Sequence, residues 1–156
     1  MTREAKNTAD SNGDSPPTAP TTRPDEAEEH TVLVVEDDQS VRGVVSNLLD
    51  SLGYRVITAA HGRDALVVSR GQVGRIDVVL ADVGMRGITG RQLAEQLRLE
   101  RPELAVVLMS GDPTGETDVQ QAQRHGHFLR KPFDAADLAR VMRTAIQSAS
   151  SDAAPN

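Results

Sequence analysis

The sequence predicts an α/β protein: a doubly wound sheet of five parallel strands with helices on both faces. Three observations carry this expectation. Short, largely apolar runs recur five times along the chain, the first of them β-branched. Between them, apolar residues recur at helical spacing, and Gly or Pro punctuates the junctions. Strands that alternate with helices build a parallel sheet covered on both sides.

Taken in order, Val32–Val35 reads as a buried strand. Val41, Val44, Val45, Leu48, Leu49 and Leu52 then recur at helical spacing, with Gly53 at the C-terminal cap. Tyr54–Thr58 is the second strand. Ala60–Arg70 suits a helix whose apolar side is Ala65, Leu66 and Val68, broken by Gly71 and Gly74. Ile76–Ala81 is the third strand, followed by a loop marked by Gly84 and Gly87. Leu93, Ala94 and Leu97 line a helix that stops before Pro102.

Leu104–Met109 is the fourth strand, and Gly111, Pro113 and Gly115 mark the loop after it. Thr117–His125 predicts a helix rich in Gln and poor in large apolar residues. His127–Leu129 is a short fifth strand. Asp134 or Asp137 can cap a last helix carrying Leu138, Val141, Met142 and Ile146.

The 156 residues suit one globular domain with flanking segments. Residues 1–29 hold Arg3, Lys6 and Arg23 against seven carboxylates, which accounts for −4 of the net −6. That segment carries no aliphatic residue larger than Ala after Met1. It is expected to be a disordered acidic, Pro- and Thr-rich arm. The domain is expected over 30–148 and a short flexible tail over 149–156.

Cysteine is absent, which excludes disulfides and thiolate metal sites. Tryptophan is absent too, and the remaining aromatics are Tyr54, Phe128 and Phe133. With a net negative charge, this argues against nucleic-acid binding. No apolar run approaches the roughly 18 residues of a membrane span, and the N-terminus lacks a secretory apolar region. A soluble, cytoplasmic protein with no direct nucleic-acid or membrane partner is the expectation.

In such sheets ligands sit at the carboxyl ends of the strands, and four of the five ends carry polar groups. Glu36, Asp37 and Asp38 follow the first strand, Asp82 the third, Ser110 the fourth and Lys131 the fifth. Clustered carboxylates repel one another, and Mg²⁺ relieves that repulsion while accepting phosphate oxygens. A lysine adds a point charge and a serine a hydroxyl donor. Together they make a site for moving a phosphoryl group onto a carboxylate. Fifteen of the 17 basic residues are arginine, and the two lysines are Lys6 and Lys131. The folded part thus uses lysine once, directly after the last strand. Asp38 is better placed to cap the first helix than to bind metal.

The segments VLVVEDDQSVR, IDVVLADVGMRGITG, VVLMSG and FLRKPF, in this order, resemble the receiver domain of two-component response regulators. The likeness covers about Thr31 to Ala149. It implies a flavodoxin-like (βα)5 fold and these roles: Glu36 and Asp37 position Mg²⁺, Asp82 accepts the phosphoryl group and binds the metal, and the Gly84 backbone carbonyl is a further metal ligand. Lys131 matches the family lysine, Ser110 the hydroxyl that moves toward the phosphoryl group, and Phe128 the aromatic switch. The sequence departs from the family at Met85-Arg86, where Met-Pro is common, and at Gly84, which lacks a side chain.

The resemblance implies a single-domain phosphorylation switch. A histidine kinase or histidine phosphotransfer protein would supply the phosphoryl group. Output would pass through protein contact at the face made by the fourth predicted helix (117–125), the fifth strand and the last helix. Two alternatives remain. One is a scaffolding receiver that is never phosphorylated. The other is an aspartate-nucleophile phosphohydrolase, which needs a second carboxylate where this chain has Gly84. The run Gly111-Asp-Pro-Thr-Gly115 lacks the Gly-Lys-Ser/Thr ending of a phosphate loop. His30, His61, His125 and His127 are too scattered for a metal cluster.

Overall fold

A computed structural model describes residues 29–111 and 127–153. The helix expected over 117–125, and residues 1–28 of the N-terminal arm, lie outside the described residues.

The strands are β1 (Thr31–Val35), β2 (Arg55–Ala59), β3 (Val78–Asp82), β4 (Ala105–Ser110) and β5 (His127–Arg130). They form one sheet in the order β2-β1-β3-β4-β5, and every pairing is parallel. The helices are α1 (Gln39–Ser51), α2 (Gly62–Gly71), α3 (Gly90–Glu100) and α4 (Ala135–Ala153).

Alternation along the strands divides the core in two. Leu33, Val35, Val79, Ala81, Val106 and Leu108 face α2 and α3, meeting Ala65, Leu66, Leu93 and Leu97. Val32, Val34, Val78, Leu80, Val107 and Met109 face the other way, onto Val45 and Leu49 of α1 and Leu138 and Met142 of α4. The central strands β1, β3 and β4 are buried on both faces, so their sequences are continuous apolar runs rather than alternating ones. The sheet is doubly wound, as its sequence predicts.

Local signals set the helix ends. Asp38 is the N-cap of α1, its carboxylate accepting from the Ser40 and Val41 N–H groups at 2.8 and 3.1 Å. At the other end Tyr54 N–H donates to Leu49 O and Gly53 N–H to Asp50 O. This 6→1 and 5→2 pair needs a left-handed residue, and Gly53 supplies it at φ 96°. Thr89 and Gln92 close a capping box on α3. Asp134 accepts from the Asp137 N–H at 2.8 Å, and Asp137 returns the bond to the Asp134 N–H. Asp134 thus caps α4, with Asp137 as its reciprocal partner.

Two sequence expectations are corrected. Val44, placed on the apolar side of the first helix, is 59% exposed, because Val45 and Leu49 already fill the sheet contact. Ser69 joins the buried side of α2, where the Arg101 side chain satisfies its hydroxyl and carbonyl oxygens. Residues 149–153 continue α4 to Ala153, and upstream of its end Ala145, Ile146 and Ala149 pack against the sheet.

Candidate functional site

In this strand order β1 lies between β2 and β3, so the connections leaving β1 and β3 depart to opposite faces. The crevice between those two strand ends is where such folds bind ligands. Glu36 is the first residue past β1, and its N–H donates to Ala59 O at 3.2 Å, one rung beyond the strand. Its side chain is 2% exposed. Asp37 is half-buried. Asp82 is the last residue of β3, and its Oδ1 accepts from the Gly84 N–H at 3.3 Å. Single oxygens of Glu36, Asp37 and Asp82 all lie within 4.8 Å of one another.

Lys131 reaches this cluster from the far side of the sheet. Its N–H donates to Ser110 O at 2.9 Å, extending the β4–β5 pairing by one rung. Its Nζ then lies 2.9 Å from Glu36 Oε2 and 3.8 Å from Asp82 Oδ2. The Lys131–Pro132 peptide is cis. Ser110 is buried at the end of β4, in register with Arg130. Phe128 is half-buried on β5, opposite Leu108 and packed on the α2–α3 side of the core.

The electrostatics follow from burial. Desolvation raises the Glu36 carboxyl above the usual carboxylate range, and the Asp82 charge adds to the rise. The hydrogen bond from Lys131 pulls it back down. Three carboxyl groups thus face one lysine in the crevice. Three hard oxygen donors at such separations suit Mg²⁺, which binds through carboxylates and keeps several waters.

The structure brings Glu36, Asp37, Asp82 and Lys131 together, with Ser110 bonded through its backbone to Lys131. Asp38 turns away to cap α1. Gly84 is exposed, and no atom beyond its chain neighbours lies within 4 Å of where a Cβ would stand. Phe128 stands two strand positions from Arg130 and packs into the core.

Sequence reasoning missed Gly90, Gly62 and Arg42. A Cβ on Gly90 would stand 2.5 Å from the Asp82 carbonyl oxygen, so α3 begins directly against the backbone of that aspartate. A Cβ on Gly62 would stand 2.8 Å from Ile88 Cβ, which packs the loop after β3 onto α2. Each is the first residue of a helix, and that position was the signal available in the sequence. Arg42 Nη1 donates to the Glu36 carbonyl oxygen at 2.8 Å. Nothing short of the fold shows that contact.

A five-stranded parallel sheet with acidic residues and one lysine gathered at its switch point defines a class of α/β proteins built around an anionic crevice. Residues 32–143 match the response regulator receiver domain, and the chain belongs to that family. It is 31% identical over 124 residues to the nitrogen assimilation regulatory protein NtrX of Azorhizobium caulinodans, covering 76% of this chain and 26% of that one. It is 33% identical over 119 residues to the DNA-binding transcriptional regulator NtrC of Azospirillum brasilense, covering 76% and 24%. The matched region thus spans about a quarter of these relatives' length. Among solved structures it resembles the chemotaxis response regulator CheY4 of Vibrio cholerae, with TM-score 0.66 and 30% identity over 75% of this chain and 98% of that one. Among the described residues no helix is long and apolar enough to cross a membrane.

Proposed function

We propose that this receiver is a Mg²⁺-dependent phosphorylation switch whose acceptor is Asp82. The observation that carries the reading is the convergence of Glu36, Asp37, Asp82 and Lys131 from three strand ends into one crevice. A carboxylate oxygen of Asp82 attacks the phosphorus of a phosphohistidine on a kinase or phosphotransfer protein. A P–O bond forms, the P–N bond breaks, and the imidazole leaves with its electron pair. The product is an acyl phosphate on Asp82.

Glu36, Asp37, Asp82 and the Gly84 carbonyl would hold the metal. When bound, Mg²⁺ supplies charge neutralisation for the incoming phosphoryl oxygens. Lys131 stands within charge range of Asp82 and stabilises the same oxygens. The Ser110 hydroxyl donates to a phosphoryl oxygen, drawing the end of β4 toward Asp82. Phe128, opposite Leu108, responds to that movement by changing its depth in the core. Output passes by protein contact at the face of β5, α4 and the helix predicted over 117–125. Gly84 stands where a phosphohydrolase would need its second carboxylate, which argues against turnover of phosphate esters.

The test is intact mass after incubation with Mg²⁺ and a small-molecule phosphodonor. One phosphoryl adduct is expected, absent in Asp82→Ala and with chelator. Continuous release of phosphate without an adduct would favour a hydrolase. No adduct in folded protein, from small donors or from a phosphorylated histidine partner, would favour a scaffolding receiver.

A further inference from the structure

Glu36 is held from both sides of its backbone. Its N–H is bonded to β2 through Ala59 O at 3.2 Å. Its carbonyl oxygen accepts from Arg42 Nη1 at 2.8 Å, across the first turn of α1. That carbonyl belongs to the planar peptide joining Glu36 to Asp37, so holding the oxygen restrains the Asp37 N–H and Cα from which its side chain departs. The hold closes on itself: Arg42 N–H donates to Asp38 O at 2.9 Å, and Asp38 N–H donates to Glu36 Oε1 at 3.2 Å. Asp38 in turn caps the helix that carries Arg42.

We infer that Arg42 is a positioning residue of the cation site, setting Mg²⁺ affinity by clamping the Glu36–Asp37 peptide; this rests on the metal reading proposed above. A charged donor makes a stronger bond to a carbonyl than a neutral one, and the arginine stem is long enough to span six residues along the chain. The charge itself acts the other way. A guanidinium beside a cation site repels the cation, so removing the charge alone tightens binding, whereas removing the clamp loosens it. Salt separates the two effects, because at about 0.5 M the screening length falls to about 4 Å while a hydrogen bond persists.

The experiment is Mg²⁺ titration calorimetry at about 0.5 M KCl on the full chain, comparing wild type, Arg42→Met and Arg42→Lys. Amide hydrogen exchange is followed in chelator. Arg42→Met keeps the stem and loses the donor. Its affinity is expected to fall about tenfold, as for other residues that orient metal ligands, with Arg42→Lys in between. In chelator, exchange at the Asp38 amide should accelerate while β3 amides keep their protection. Wild-type affinity in Arg42→Met, or acceleration spread evenly through the core, overturns the inference. If Arg42→Met fails to fold, Arg42→Lys carries the same comparison, and unchanged affinity there overturns it. A wild type that binds no Mg²⁺ overturns the metal role, recognisably apart from any variant effect, and unaltered Asp38 exchange in the variants would then remove the clamp as well.

Discussion

Lys131 Nζ is hydrogen-bonded to Glu36 Oε2 at 2.9 Å, yet stands 3.8 Å from Asp82 Oδ2, in charge range without a hydrogen bond. The lysine therefore compensates the buried Glu36 carboxylate while leaving the proposed acceptor, Asp82, without a hydrogen bond from it. Glu36 is 2% exposed and Lys131 22%, so removing the lysine strands a charge that water reaches poorly.

Lys131→Met is accordingly expected to cost roughly 1–3 kcal/mol of stability in chelator. This is below the 3–5 of a fully buried pair because the ammonium is partly solvated. Adding Glu36→Gln to it should recover at least half of the loss. Urea titrations of the two single variants and the double variant measure this, and strictly additive losses would remove the coupling.

Gly90→Ala places a methyl group against the Asp82 carbonyl, where backbone and not a flexible side chain must yield. A destabilisation of about 1–3 kcal/mol is expected, with adduct formation slowed well beyond what the unfolded fraction explains. Gly84→Ala meets no nearby atoms and should stay within about 0.5 kcal/mol of wild type. Thermal melts and phosphorylation time courses check both.

Adjacent carboxylates should separate by role. Asp38→Ala removes the cap from the Ser40 and Val41 N–H groups, at a cost of about 1 kcal/mol. It should change Mg²⁺ affinity far less than Asp37→Asn does. Equal affinity losses in the two variants would mean that the cap and the cation site are not distinct.

Burial, aided by the Arg98 charge, holds His127 below the usual histidine value of 6.5. The unfolded chain therefore takes up this proton at higher pH than the folded protein. Stability from the neutral ring is fully present above the unfolded value and is lost as pH falls through the folded one. In melts between about pH 7 and pH 5, His127→Gln should lose less stability on acidification than wild type. Parallel curves would contradict this.

Much of the architecture was legible because its signals are local. The apolar runs of β1, β3 and β4 are continuous because both sheet faces are covered. Gly53 and Asp38 ended and began α1 where their chemistry demands. Residues 149–153 carry a weaker helical signal, because Ala149, Ser150 and Ser151 are small. Small residues look like a tail in sequence, yet they extend α4 while its earlier turns are packed on the sheet.

By itself the sequence determined the fold class, the strand ends that bear chemistry and the residue types gathered there, because hydrophobic period and polar punctuation are properties of neighbouring residues. Only the tertiary structure decided which carboxylate Lys131 bonds, that Gly90 abuts Asp82, and that Arg42 grips the Glu36 carbonyl. The Lys131–Glu36 bond joins residues 95 apart in the chain. Its geometry arises from strand order and register, which bring distant strand ends together and leave no periodic trace in the sequence.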